Sequence, residues 1–274
     1  MIRFILSLLV CWTCFAPVLV QPYRFAAAAA TFNPSTYGTV KLRFSIRLET
    51  PLNHGDSITN LTDTINGWQV SQSTAAARPL YSTNVIGPYP AALLDGVNDY
   101  WNVTAGAMMD VLRNVSSATA MTLVVPTRTG GSVASNPVFT YRRNVNTSSR
   151  LVLESNRAGQ YFQATARPDD AVSGGSPSES SNFTVSTPYV ITLQALFSSG
   201  TAAIYRDTAE TGSASYTAAT TSNTASAEIG IGSGSAGSPG FYTGYIAEHI
   251  VWVPALSGAS LTNAITDLRT YYGL

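Results

Sequence analysis

The chain is poor in charge. Of its 274 residues only 11% are Asp, Glu, Lys or Arg, less than half of the roughly one quarter usual for a globular protein. Lys41 is the only lysine; the other fourteen basic residues are arginines. Fifteen acids balance fifteen bases, so no net field draws the chain to nucleic acid or anionic lipid. Arg142 and Arg143 form a basic pair that is too small for a nucleic-acid footprint. Nucleic acid is not an expected partner.

Histidine and cysteine are scarce too. His54 in "NHGD" and His249 in "AEHIVW" are the only histidines. The sequence holds no paired-histidine metal motif, no G-x-S-x-G elbow and no P-loop. Cys11 and Cys14 stand in "CWTC", a spacing that suits a redox pair or half a zinc site. The first needs a βαβ unit around it and the second needs two more ligands, and neither accompanies the motif. Both cysteines read as small apolar residues; if the segment that holds them is removed, the mature chain has no cysteine and its fold must rest on core burial rather than on disulfides.

They sit in the one long apolar run, Phe4 to Val20, seventeen residues preceded by Arg3 and followed by "FAAAAAT" at Phe25 to Thr31. A charged start, an apolar middle and a small-residue end describe a secretory signal. Arg24 separates the run from the alanines, and the second reading is a retained arm docking on neighbouring virion or surface proteins. A membrane is a partner only if the segment stays as an anchor. Residues 1–30 are thus an apolar arm or signal peptide, and 31–274 form one domain.

Short alternating segments are abundant. In "TVKLRFSIRLE" (39–49), Val40, Leu42, Phe44, Ile46 and Leu48 alternate with polar residues, which predicts a strand with one wet face. Similar runs include "MTLVV" (121–125), "PVFTYRR" (137–143), "YVITLQALF" (189–197) and "GYIAEHIVWV" (244–253), separated by Gly, Ser and Pro. This predicts an all-β antiparallel sandwich or barrel. One helix closes the chain, with Leu261, Ile265, Leu268 and Tyr272 on one face. Ser257 or Ser260 is its expected cap and Gly273 its stop. It is expected against one end or edge of the sandwich.

Three segments, "TAAARPLYSTNVIGPYPAALLDGVNDYW" (74–101), "VITLQALFSSGTAAIYRDT" (190–208) and "GYIAEHIVWVPALSGASLTNAITDLRTYYGL" (244–274), carry a resemblance. With Trp68 before them, their order is similar to the LamG-like branch of the concanavalin A-like lectins and glucanases. Arg78, Pro79, Asp95, Gly96, Asp99, Tyr100, Gly244, Glu248, Tyr272 and Gly273 fall on that pattern. Members are common in bacterial secreted proteins and in bacteriophage structural proteins. The resemblance implies a jelly roll of two antiparallel sheets. It implies no activity, because one fold hosts many functions.

Candidate sites are few. Asp95, Asn98 and Asp99 in "LLDGVNDYWNV" give only part of the six to eight oxygens that calcium needs, with Asp169 and Asp170 as distant donors. The expected role of this segment is a tight turn, with Asp95 accepting backbone bonds and Gly96 at positive φ; calcium is the alternative. Retaining glycosidases need two carboxyl groups about 5–5.5 Å apart, hence an acid-x-acid strand. Glu49, Glu154, Glu228 and Glu248 each stand alone in their runs, so no enzyme and no cofactor are expected. Sugars stack on aromatic faces, which makes Tyr81, Tyr89, Tyr141, Tyr161, Tyr242 and Tyr245, all near loops, the candidate ligand contacts. The sequence therefore points to a non-catalytic structural or adhesion protein. Its expected setting is a bacteriophage virion surface, as a capsid decoration or fibre component. The alternative is a secreted or cell-surface bacterial protein that binds carbohydrate.

Overall fold

A computed structural model describes residues 31–49, 52–128, 136–142, 149–156, 159–168, 173–221, 225–233 and 240–274. The segment with Cys11 and Cys14, Arg143, and the acids Asp169 and Asp170 lie outside the described residues.

The described residues form fifteen strands and one α-helix, in chain order β1 (Val40–Ser45), β2 (Asn60–Thr62), β3 (Gln69–Ser71), β4 (Leu80–Ile86), β5 (Tyr89–Asp95), β6 (Trp101–Val103), β7 (Ala118–Pro126), β8 (Pro137–Arg142), β9 (Ser149–Asn156), β10 (Tyr161–Ala166), β11 (Tyr189–Leu196), β12 (Thr201–Arg206), β13 (Ala209–Ser215), β14 (Glu228–Ile231), β15 (Thr243–Trp252) and α1 (Gly258–Tyr271). They build two antiparallel sheets, as the alternation and the family resemblance both predict. One runs β13-β12-β11-β7-β15-β5-β4 with β1 also on β15; the other runs β10-β9-β8-β14-β6-β3-β2.

Two apolar layers hold the fold. Between the sheets, Ala120, Val124, Ile191 and Leu193 meet Phe139, Leu151, Leu153 and Phe162. On the outer side of the eight-stranded sheet, Met121, Leu123, Val125, Ile250 and Trp252 meet Leu261, Ala264, Ile265 and Leu268 of α1. That is why all nine residues of β7 are buried: a strand covered on both faces has no wet side. Each large side chain buried under the helix contributes about 1.5–3 kcal/mol.

The helix therefore covers a sheet face rather than an end or edge of the sandwich. Its predicted apolar face is correct, because Leu261, Ile265, Leu268 and Tyr272 are all buried. Ser257 stands at its N-cap with extended backbone, but its side chain makes no capping bond. The stop is as expected. Gly273 takes φ +69°, with Gly273 N–H donating to Thr270 O and Leu274 N–H to Arg269 O, the paired bonds of a Schellman end.

Covering that face also corrects the reading of β1. Its polar residues Arg43 and Ser45 are 7% and 1% exposed, and the segment turns into a 3-10 helix at Ile46–Leu48. Strand β15 departs from simple alternation for a second reason. Its register shifts between Ile246 and Glu248. Thr243–Ile246 pair with β5, whereas Glu248–Trp252 pair with β1. The bulge turns Ile246 into the between-sheet layer with Val251 and Ala247 into the outer layer with Ile250.

Candidate functional site

The acidic segment is a turn. Asp95 ends β5, and its Oδ1 accepts from Val97 N–H at 2.7 Å and Asn98 N–H at 3.2 Å. Gly96 takes φ +75°, and a Cβ there would lie 1.8 Å from Thr243 Oγ1. Asp99 folds back beneath the turn, where its Oδ2 accepts from Asp95 N–H at 3.0 Å. Burial is the largest influence on Asp99 and pushes its carboxyl up to about 6; the neighbouring Asp95 charge pushes the same way, and the Asp95 N–H bond opposes both. Among the described residues, no group of three or more His, Cys, Asp or Glu side chains is placed to hold a metal ion.

The six candidate tyrosines do not converge. Tyr141 and Tyr242 are in the core at 0% exposure, with no surface to offer a sugar. Tyr141 O–H is 2.8 Å from His249 Nε2. His249 is itself held at Nδ1 by Thr122 Oγ1 at 2.8 Å, and burial lowers its pKa to about 3. Tyr89 stacks on the Arg47 guanidinium, which lies 3.9 Å from its ring and 3.8 Å from that of Tyr271. The Tyr161 hydroxyl oxygen accepts from Asn156 Nδ2 at 2.9 Å, and Tyr81 packs half-buried against the inner layer. Tyr245 lines a cleft, together with His54.

The strand acids are engaged in structural contacts. Glu248 receives Arg43 Nε at 2.6 Å, Ser45 Oγ at 2.7 Å and Tyr272 O–H at 2.7 Å. Glu228 is buried and lies 3.9 Å from Arg142 Nη1. Glu154 accepts from Gln163 Nε2 at 2.7 Å, and Glu49 from Thr62 N–H at 3.0 Å.

A cleft with recognition chemistry opens at one end of the sandwich. It is lined by Lys41, Trp68, Asp110, Val111, Arg113 and Val253, and has a volume of about 260 Å³. The topology explains why these residues meet. Lys41 lies at the start of β1 and Val253 just past the end of β15, on the eight-stranded sheet. Trp68 immediately precedes β3 on the other sheet. The connection from β6 to β7 crosses between the sheets here, and carries Asp110 and Arg113 on and after the 3-10 turn Ala107–Asp110. The indole of Trp68 is partly buried and braced on the inner layer. Arg113 Nη1 lies 3.3 Å from Asp110 Oδ1, both side chains near half exposed. Lys41 is exposed. The cleft thus joins an aromatic platform, two cations and one carboxylate, a net single positive charge.

The sequence reading missed this cleft. Trp68 entered only through the resemblance, and Lys41 only as the sole lysine. The crossing connection that brings them to Arg113 leaves no periodic signal in the sequence.

No protein-family model and no curated protein matches the chain. Solved structures do match in fold. Trypanosoma rangeli sialidase aligns with TM-score 0.53 and 13% identity over 84% of this chain and 32% of its own. The CBM40 of Ruminococcus gnavus IT-sialidase, bound to α2,3-sialyllactose, aligns with TM-score 0.50 and 12% identity over 64% of this chain and 95% of its own. A structure of botulinum neurotoxin type C, whose passage into cells depends on two ganglioside molecules, aligns with TM-score 0.54 and 12% identity over 84% of this chain and 51% of its own. The chain spans about a third of the length of the sialidase. At these identities the likeness shows the fold alone, a β-sandwich.

Proposed function

We propose that this protein is a non-catalytic glycan-binding adhesion protein, and that the Trp68 cleft holds a sugar bearing an anionic group. The meeting of an indole with Lys41 and Arg113 in one cleft carries the reading. The apolar face of a pyranose stacks on an aromatic ring, while a carboxylate or sulfate finds the cations. Two neighbours of the fold lend support, one bound to sialyllactose and one dependent on gangliosides. The non-catalytic part rests on the strand acids. The Glu248 carboxylate is buried and occupied by three donors, which keeps it away from any substrate. The test is calorimetric titration with acidic oligosaccharides of the wild type and Trp68→Ala, beside turnover assays on the same sugars.

The setting we propose is a bacteriophage virion surface, where the protein acts as a capsid decoration or fibre component attached through Phe4 to Val20. Seventeen largely apolar residues need cover, since each large one left in water costs about 1.5–3 kcal/mol. The signal-like order of that segment favours a second setting, secreted or on the cell surface. The intact mass of native protein separates them. Retention of residues 1–30 supports the virion arm, and a start near Thr31 supports secretion.

A further inference from the structure

We propose that a second cleft, at the opposite end of the sandwich, binds a neutral saccharide. It has a volume of about 270 Å³, and His54, Thr83, Asn84, Thr127, Ser186 and Tyr245 line it. The first cleft lies where β7 begins and β15 ends; this one lies where β7 ends and β15 begins. Eight residue steps of extended chain from Tyr245 to Val253 put the two roughly 25 Å apart.

The sequence makes this cleft by breaking the sheet. In the β4–β5 pair Ser82 stands opposite Ala91 and Ile86 opposite Tyr89. Thr83, Asn84 and Val85 thus face the single residue Pro90, which has no N–H to give. The three residues leave the ladder as a bulge, a device concentrated beside functional sites. Thr83 N–H turns instead to His54 Nδ1 at 3.3 Å. With Nδ1 accepting, the neutral ring carries its proton on Nε2, and the exposed imidazole offers a donor. Asn84 holds φ +56° and Ser186 φ +59°, a left-handed backbone on two non-glycine residues across one cleft. Such conformations persist where the surroundings impose them, and they cluster at ligand clamps.

The chemistry selects the ligand. Hydroxyls, an amide and an imidazole both donate and accept, as sugar hydroxyls require, and the partly buried Tyr245 ring is braced on the outer layer as a platform. No Asp, Glu, Lys or Arg is among the described residues lining the cleft. An anionic ligand would find no counter-charge there, in contrast to the Trp68 cleft. The ligand class rests on the glycan reading above, while the bulge and the two left-handed residues mark a site independently of it.

The test is a residue-resolved amide shift titration of the whole protein with maltotriose, cellotriose and chitotriose at about 10 mM, roughly tenfold above a weak millimolar Kd. The expected result is a saturable movement of the Thr83, Asn84, Val85 and Ser186 amides with at least one of the three. It persists in Trp68→Ala, which separates it from the first cleft, and disappears in Tyr245→Ala. Asn84→Gly suits the left-handed backbone and keeps the fold, yet removes one amide contact. It weakens binding about three- to tenfold. No movement at these amides with any of the three sugars overturns the proposal. So does movement confined to Val111–Val115, or binding that survives unchanged in both variants.

Discussion

Arg43 on β1 and Glu248 on β15 pair inside the protein, Nε to Oε1 at 2.6 Å, with their side chains 8% and 0% exposed. They are diagonal neighbours, because Glu248 stands opposite Ser45 and Arg43 opposite Ile250. Tyr272, just past α1, donates to the same carboxylate. One buried acid thus ties an outer strand, a central strand and the C-terminal helix. Breaking a buried pair from one side leaves an uncompensated charge, whereas replacing both partners by apolar residues is often near neutral. Glu248→Ala is therefore expected to lose about 3–5 kcal/mol in urea unfolding. Arg43→Met with Glu248→Leu is expected to lose much less than the two single changes summed. Additive losses would show that the pair is not coupled.

The buried titrating groups predict opposite pH slopes. The Asp99 carboxyl is raised from 3.8 to about 6, so the folded state holds its proton more tightly than the unfolded chain does. The stability this gives is present below about pH 4 and is lost as pH rises through 6. The loss is on the order of 1 kcal/mol, allowing for water near the turn. His249 is lowered from 6.5 to about 3, so its contribution is present above pH 6.5 and is lost as pH falls. Relative to Asp99→Asn the wild type should weaken between pH 4 and 7, and relative to His249→Gln it should weaken between pH 7 and 4. Chemical unfolding of the three proteins across that range checks both signs, and a flat difference in either comparison contradicts the corresponding burial.

Much of the fold was legible because period-two alternation reports one covered face, and β10 keeps it faithfully in Tyr161–Ala166. The helix was legible from Leu261, Ile265 and Leu268. Arg43 and Ser45 misled, because polar residues on a strand normally mark water, and only Glu248, some two hundred residues on, makes them buriable. The alternation expected over 244–253 breaks at Ile246 and Ala247, because a bulge has no sequence signature in this strand. The turn at Asp95–Gly96 was legible since its chemistry is local. The clefts were not: each is assembled from residues far apart in the chain, and Tyr245 stood among six candidate tyrosines, two of which lie in the core.

The turn itself is open to mutation. Gly96→Val places a Cβ on Thr243 at positive φ and is expected to cost about 1–3 kcal/mol from backbone strain alone, with the clash added. Asp95→Asn keeps an oxygen for Val97 and Asn98 and is expected to be mild. Thermal melts of both variants and the wild type, each with and without EDTA, are the check. Melting temperatures that EDTA lowers in the wild type and Gly96→Val but not in Asp95→Asn would assign the segment to calcium.

The central claim is that the Trp68 cleft holds an acidic sugar, and the indole of Trp68 reports on it directly. Trp101 and Trp252 are fully buried, while Trp68 is partly exposed. The measurement is the shift of the Trp68 indole N–H during titration with α2,3-sialyllactose and, separately, lactose. The account predicts a saturable shift with sialyllactose and little with lactose. It also predicts an affinity about three- to tenfold weaker in Lys41→Ala, as befits the loss of roughly 1 kcal/mol from one exposed cation. No shift up to about 10 mM, or equal shifts with the two sugars, would contradict it.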